Sequence, residues 1–449
     1  MIIERIKSIV LLVLVSLSLL MTYQLWYGQK PTHLIAEEIY ERVIVEKPRP
    51  LAEVITPAQI VVRTEKGFYL MKDNDPDFYR LWAVLSQQLQ DLDTDSIIVN
   101  QTGEESARNL LTVYMQPILP AGADLPWLPD FPSIMIDQIE MLSLNDNTWL
   151  TLSDSSNDTK TKLLLSPEQS AEFRDLIAGI PGEARIIYAP LTPEKLIGLA
   201  DQEITMDESI YLPQEPVYLD SLIIKPEVID RDLIIKTFFI DYNLARIIEE
   251  KDGGLIYTDG ERGLRLTNVS LEYSHPRLEA GQSTMSYPEA LKNSSSLISY
   301  HGGWPVNLRL EKLGLIRRGR SISYEAKWRI YYEGYPFYTN KLSRAIFNDR
   351  GLIHYTRTLF FIEEQFTERE ERLPVADWFS ALQAALEKYD ENRPVRQSAI
   401  KLEKIELGYV IIKLANAYRG EPVWFIQIDG HKFFLKAHNL NLINGEDML

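Results

Sequence analysis

The sequence predicts an α+β protein: one N-terminal transmembrane helix, then a folded region of many strands and few helices. Three observations carry this. Ile9 to Tyr27, IVLLVLVSLSLLMTYQLWY, holds no charge. Runs such as Tyr324 to Tyr332 alternate Tyr, Ala, Trp, Ile, Tyr against Glu, Lys, Arg, Tyr, the period of a half-buried strand. Helical periods are few, and several open on a cap followed by proline, as at Asp75-Pro76 and Ser166-Pro167.

The apolar stretch comes first. At 1.5 Å per residue it spans roughly 28 Å as a helix, close to the ~30 Å hydrocarbon core of a bilayer. Arg5 and Lys7 precede it, and Tyr23, Trp26 and Tyr27 close it where an interfacial aromatic belt sits. A cleaved secretory signal needs a shorter apolar centre and a small-x-small exit. The exit here is Tyr-Gln-Leu-Trp-Tyr, so an uncleaved anchor is expected, and the absence of cysteine excludes a lipid-modified N-terminal Cys. Arg5 and Lys7 place the N-terminus in the cytoplasm and everything after Gly28 outside. Within the anchor, Ser18, Thr22 and Trp26 recur at four-residue spacing. The two small residues allow close approach of a partner helix and hydroxyl bonding across it; the alternative is that each hydroxyl bonds back to its own helix.

Composition bounds the rest. Of 449 residues, 45% are hydrophobic and 25% charged, which is ordinary for a globular protein and not for a disordered stalk. A net charge of −17 argues against nucleic acid and against adhesion to anionic lipid or acidic wall polymer. With no cysteine there is no disulfide and no thiolate chemistry.

Past a juxtamembrane spacer, where Ile35, Ile39 and Val43 recur at helical spacing before Pro48 and Pro50, a hairpin is expected around Lys66-Gly67. A helix capped by Asp75 carries Phe78, Leu81, Trp82, Leu85 and Leu89 on one face. A second helix is capped by Ser166, buries Phe173, Leu176 and Ile177, and stops at Gly179. Strands are expected at Ser133–Ile139, Thr148–Leu152, Lys162–Leu165 and Ala184–Ala189. Tyr211 to Pro226 is proline-rich and marks a boundary. Leu233–Ile240 then reads as a strand, followed by Ile256–Gly260 and Gly263–Leu271. A helix opens near Pro288. The last third continues as strands at Tyr324–Tyr332, Arg344–Asn348, His354–Ile362, Ile400–Leu414, Val423–Ile428 and Lys432–Lys436, a meander-like antiparallel sheet. One helix after Pro374, with Trp378, Leu382, Leu386 and Tyr389 on one face, interrupts it.

Chemistry does not assemble. Asp73-Asn-Asp75-Pro-Asp77 and Asp91-Leu-Asp93-Thr-Asp95 begin like calcium loops, but these require Gly at position six and Glu at twelve. Phe78 and Val84 stand there in the first, Ser96 and Thr102 in the second, leaving cap and loop carboxylates. None of the six histidines forms HxH or HxxxH. His301, in Tyr-His-Gly-Gly-Trp304, is the most site-like, although paired glycines beside a tryptophan also specify a tight turn. No nucleophile elbow, phosphate loop or dinucleotide fingerprint is present. No catalytic residue, metal ligand or cofactor is expected.

Several segments in order resemble the YycH (WalH) family: Met21-Thr-Tyr-Gln-Leu-Trp26, Ile256-Tyr-Thr-Asp-Gly-Glu-Arg-Gly-Leu264, Leu271-Glu-Tyr-Ser-His-Pro276, and Ile405-Glu-Leu-Gly-Tyr409 followed by Pro422-Val-Trp-Phe-Ile426. The last pattern is also similar to the companion protein YycI. The resemblance covers essentially the full length, and each segment is a strand or turn pattern rather than a catalytic signature. It implies an anchored extracytoplasmic protein of Gram-positive bacteria, without enzymatic activity or cofactor. It further implies control of the sensor histidine kinase YycG (WalK) in cell-wall metabolism, in a membrane complex with the single-pass protein YycI. It implies three outer domains, the third a curved antiparallel sheet similar to YycI. The expected division is a tail at 1–7, the anchor at 8–27, a spacer at 28–58, and domains at 59–205, 206–287 and 288–449. Partner-helix contact falls to Ser18, Thr22 and Trp26. Competing classes are an anchored ligand-sensing or chaperone module, which needs a concave apolar pocket with a few polar groups, and a wall-active hydrolase, which needs convergent carboxylates or a metal.

Overall fold

The computed structural model describes residues 7, 11, 13–19 and 21 and, from 45 onward, all but 65–66, 91–96, 100–108, 121–134, 145–146, 155–158, 181–185, 201–202, 207–208, 240, 252, 280–283, 306–307, 320, 341, 363–373, 392–398 and 415–416. Two compact units form, Met1–Val43 and Ile44–Leu449. In the first, the described residues are helical and exposed, Leu11 by 64% and Leu19 by 66%. Among the described residues no helix is long and apolar enough to cross a membrane. Thr22, Trp26 and the helical pattern at Ile35, Ile39 and Val43 lie outside them.

The second unit opens with an antiparallel sheet. Its strands are β1 (Pro57–Thr64), β2 (Gly67–Met71), β3 (Ile97–Val99), β4 (Asn109–Pro120), β5 (Met135–Leu144), β6 (Asn147–Asp154), β7 (Thr159–Leu164), β8 (Ile187–Pro190) and β10 (Tyr211–Pro213), in the order β10-β8-β2-β1-β4-β5-β6-β7-β3. The intervening β9 (Glu203–Thr205) leaves this sheet for the next. Helix α1 (Pro76–Gln90) starts where Asp75 accepts the Asp77 N–H at 3.0 Å. It buries Phe78, Leu81, Trp82, Leu85 and Leu89 as their spacing predicts, each side chain worth about 1.5–3 kcal/mol over exposure. Helix α2 (Pro167–Ala178) opens on a capping box: Ser166 Oγ accepts the Gln169 N–H at 3.2 Å, and Gln169 Oε1 accepts the Ser166 N–H at 3.1 Å. Phe173 and the α1 face share one core with Ile60, Val62 and Leu111 of the sheet.

A larger sheet follows. It contains β11 (Leu222–Pro226), β12 (Arg246–Glu249), β13 (Leu255–Thr258), β14 (Gly263–Leu266), β15 (Ser270–Ser274), β16 (Leu308–Arg318), β17 (Ser321–Tyr332), β18 (Tyr335–Tyr338), β19 (Ser343–Asn348), β20 (Gly351–Thr358), β21 (Phe360–Ile362), β22 (Ala399–Lys413), β23 (Tyr418–Ile428) and β24 (His431–Lys436). The order is β12-β13-β14-β15-β20-β19-β17-β18-β22-β23-β11-β21, with β16 on β17, β24 on β23 and β9 on β22. Among the described pairings, β18–β22 and β9–β22 are parallel and the others antiparallel. The alternation that predicted β17 is realised: Tyr324, Ala326, Trp328 and Ile330 are buried while Glu325, Lys327 and Arg329 lie on the opposite face. Helix α5 (Trp378–Glu391) buries Leu382, Leu386 and Tyr389 against Trp424 and Ile426 of β23.

One expected strand is a helix. Arg231–Phe238, which overlaps most of Leu233–Ile240, forms α3. The Asp230 carboxylate accepts the Leu233 N–H at 3.1 Å, and Ile234, Ile235 and Phe238 fall on a buried face. An apolar run this short has no decisive period, and the cap outside it selects the helix.

The Tyr300–Trp304 segment ends helix α4 (Tyr287–Tyr300) in a tight turn, with Gly302 at φ +120° and Gly303 at φ +75°. A Cβ on Gly302 would run into the guanidinium of Arg357. That side chain, 1% exposed, donates to the Gly303 carbonyl at 2.9 Å and to both oxygens of Glu227 at 2.9 and 3.2 Å. His301 stacks on Phe238 of α3, with centroids 4.4 Å apart and an 18° interplanar angle, and Trp304 donates its backbone N–H to Glu46 at 2.8 Å. The turn is therefore the joint between α3, α4 and β20. Removing one partner of a buried ion pair strands the other charge. Since Glu227 is itself 26% exposed, Glu227→Ala is expected to cost about 3 kcal/mol, the low end for such pairs, read as a lowered urea midpoint. A midpoint unchanged by the substitution would show the pair to be idle.

Candidate functional site

Where the two sheets meet, a cleft of about 310 Å³ is lined by Leu70 of β2 and Lys72 just after it, β8 (Tyr188), β10 (Tyr211), the start of β18 (Tyr335) and β22 (Lys404, Glu406), with Trp424 of β23. Its geometry follows from one turn. β17 and β18 are joined through Glu333-Gly334, both at positive φ (+47° and +74°), the left-handed pair that matches the twist of a two-residue hairpin. The tip presses on the first sheet: a Cβ on Gly334 would collide with the aliphatic stem of Lys72. This contact sets the Lys72 ammonium 4.1 Å from the centroid of the Tyr335 ring.

Behind the cleft lies a connected set of charges and aromatic rings. Asp73 pairs with Arg309 of β16, whose guanidinium lies 4.8 Å from the Tyr331 centroid. Arg329 of β17 forms a two-point bond to Glu311 at 2.9 and 2.9 Å, donates to the Phe337 carbonyl at 2.9 Å, and sits 4.6 Å from the Tyr338 centroid. Tyr338 donates its hydroxyl to Glu406, and Lys404 reaches the same carboxylate at 2.7 Å. Burial alone would raise the Glu406 carboxyl, but Lys404, the Tyr338 hydroxyl and Lys72 together hold it below the ordinary range. Lys72 is different. Burial lowers its ammonium to about 8 against the pull of Glu406, and Lys404 and Arg309 add to the lowering. Among the described residues it forms no ion pair.

Chemically, Glu406, Lys404 and Tyr338 are engaged with one another, so the set is a structural clasp across strands. Lys72 lines the cleft outside that set, as does the Glu403 carboxylate, which accepts from Gln427 and from the Gly430 N–H. Among the described residues no three His, Asp or Glu side chains come together as metal ligands. Asp73 pairs with Arg309, Asp75 caps α1, and Asp77 lies 3.8 Å from Arg80, so the first calcium-like run consists of cap and loop carboxylates. The second, Asp91 to Asp95, lies outside the described residues. Of the anchor residues, Ser18 is helical and exposed, while Thr22 and Trp26 are not described.

Sequence reasoning did not single out Lys72, Arg309, Arg329, Lys404 or Glu406. They come from three strands and the loop after β2 and share no local motif. The one signal was the polar face of β17, where Arg329 alternates with buried aromatics; read alone, that face belongs to solvent, but Arg329 is taken up by Glu311 of β16 and by Phe337 and Tyr338 of β18.

Family models match the chain in two places: "YycH protein, N-terminal domain" over residues 4–115 and "YycH protein, C-terminal domain" over residues 207–437. Lys72 falls in the first and Lys404 and Glu406 in the second. No curated protein matches the chain. Among solved structures, the crystal structure of YycH from Bacillus subtilis is similar, with a TM-score of 0.60 and 16% identity over 87% of this chain and 98% of that one. At that identity the likeness is one of fold.

Lys72 gives a pH signature. Unfolded, it titrates near 10.5; folded, near 8. Between those values the unfolded chain holds more protons, so this residue makes stability rise with pH across that window. Lys72→Met keeps the stem beneath Gly334 and removes the proton. The stability of the wild type relative to this variant is expected to increase from pH 7.5 to 10 in chemical unfolding. A difference that stays flat over that range would refute the assignment.

Proposed function

Because the chain belongs to the YycH family, we propose that it is a non-enzymatic regulator that binds the sensor histidine kinase YycG/WalK together with a YycI-like single-pass protein and tunes the kinase in control of cell-wall metabolism. The ordered match of both family models carries this reading. The first match begins at residue 4, so it takes in the apolar stretch as well as the start of the folded unit. We take Ile9 to Tyr27 as the membrane anchor, N-terminus inside, with working domain borders at 59–205, 206–287 and 288–449. The last two share the large sheet through β15 and β20.

A second reading, that the folded region senses a ligand, is favoured by one observation: an ammonium without an ion pair among the described residues, in a cleft walled by Tyr188, Tyr211, Tyr335 and Trp424. The two readings are compatible and separable. Lys72→Met is expected to leave partner capture intact; normal kinase output in that variant would remove the sensing role.

Capture of the full-length protein from membranes is expected to bring down a histidine kinase and a small single-pass protein. Recovery of neither would overturn the regulatory reading. Tethering depends on summed hydrophobicity, whereas helix association in lipid depends on close backbone approach. The double variant Ser18→Leu, Thr22→Leu is therefore expected to be exported in normal amount and to hold its partner helices about fivefold more weakly, on the order of 1 kcal/mol. Unchanged co-purification and kinase-dependent transcription would reduce the anchor to a tether.

A further inference from the structure

β12 is the outermost strand at one end of the large sheet, and it ladders with β13. All four of its residues are exposed. Its centre is apolar on both faces, with Ile247 exposed by 63% and Ile248 by 51%. An open edge is a template for pairing, and natural sheets blunt theirs with proline, bulges, cover or central charges. Here the charges stand at the ends, Arg246 and Glu249, and Arg246 forms no ion pair among the described residues.

Alternation fixes which backbone groups are free. β12 pairs with β13 in the register Glu249↔Leu255, Ile248↔Ile256. Glu250 continues that register, donating its N–H to the Gly254 carbonyl at 2.8 Å. Glu250, Ile248 and Arg246 therefore turn their N–H and C=O groups toward β13, and those of Ile247 and Glu249 point out of the sheet.

A second copy of the same strand satisfies these groups. Antiparallel pairing about a twofold axis must place outward-facing residues opposite one another. With the axis at Ile248, Ile247 of one copy exchanges hydrogen bonds with Glu249 of the other. In that register Ile248 meets Ile248, and Arg246 stands opposite Glu250 of the second copy on the same face, a carboxylate that also accepts from Arg265 of β14 at 2.6 Å and would be shared between the two cations. Both symmetric ends gain the opposite-charge pair. Of the neighbouring permitted axes, the one at Ile247 sets Arg246 against Ile248 and forms no such pair, and the one at Glu249 sets two Glu249 carboxylates opposite each other.

We propose that β12 is a self-association edge, at which two copies of this chain join their large sheets antiparallel about Ile248. The net charge of −17 opposes approach at long range, but at physiological ionic strength it is screened beyond ~8 Å, whereas the cross-strand pairs act at contact. The interface does not depend on the regulatory reading.

The chain contains no cysteine, so one introduced thiol reports on one position. Directly opposite, non-hydrogen-bonded residues have Cα atoms ~4.5 Å apart, within disulfide reach. In the full-length protein in detergent micelles, Ile248→Cys is expected to give a disulfide-linked dimer under mild oxidation. Ile247→Cys is expected to stay monomeric, because its counterpart lies two positions along the partner strand, beyond ~7 Å. Adding Arg246→Glu to Ile248→Cys is expected to lower the linked fraction about tenfold at equal protein concentration. Circular dichroism matching the wild type establishes that each variant folds. Three outcomes overturn the proposal: a folded Ile248→Cys protein that gives no dimer, equal linking from Ile247→Cys, or a link in whole membranes from position 248 to a different protein.

Discussion

The large sheet depends on a cation that has no water to solvate it. Arg357 of β20 is 1% exposed, and its guanidinium is stable there because two distant parts of the chain converge on it: Glu227 after β11, and the turn after α4, where the Gly303 carbonyl accepts from it and Gly302 leaves it Cβ-free space. A buried ion pair contributes little net free energy compared with apolar residues of similar volume, but leaving it half-made is costly. What it fixes is arrangement. α3 and α4 cannot shift on the sheet without uncovering a charge.

The junction between the sheets works on a different principle. Steric fit sets it, with a hairpin tip whose glycine admits the stem of Lys72, and the ionic clasp of Arg329, Glu311, Tyr338, Glu406 and Lys404 lies behind it. Most of those charges are neutralised in place. Lys72 is held near its titration point by burial instead of by an acid, which is why the cleft combines a rigid wall with one responsive group.

Local signals in the sequence were enough wherever a cap and a period occur together. Asp75-Pro76 with Phe78 to Leu89, and Ser166-Pro167 with Phe173 and Leu176, specify their helices without help from the rest of the chain. The alternation at Tyr324–Tyr332 specified its strand equally well. Leu233–Ile240 was misread because eight apolar-rich residues satisfy either period, and the deciding Asp230 sits outside the run. The cleft was illegible for a deeper reason. Arg329 differs from a surface arginine only in its partners, Glu311 of β16 and Phe337 and Tyr338 of β18, which the pairing of the strands brings to it and no local motif announces. Gly334 differs from any hairpin glycine only through Lys72 beneath it. The Tyr-His-Gly-Gly-Trp304 segment was legible as a turn, while its partner Arg357 was not.

The link between the two sheets has a mechanical consequence. β9 is stitched to β22 of the large sheet through Thr205↔Lys401, and β10 to β8 of the first sheet through Tyr211↔Pro190. A few residues connect these anchorages, and at ~3.3–3.6 Å per residue an extended chain there reaches only about 20 Å. This short strap limits how far the sheets can part: the cleft can gape by tilting about the strap, but it cannot open by wholesale separation unless β9 or β10 first peels from its neighbour. Both are three-residue strands, so the ladder that holds each end of the strap is short.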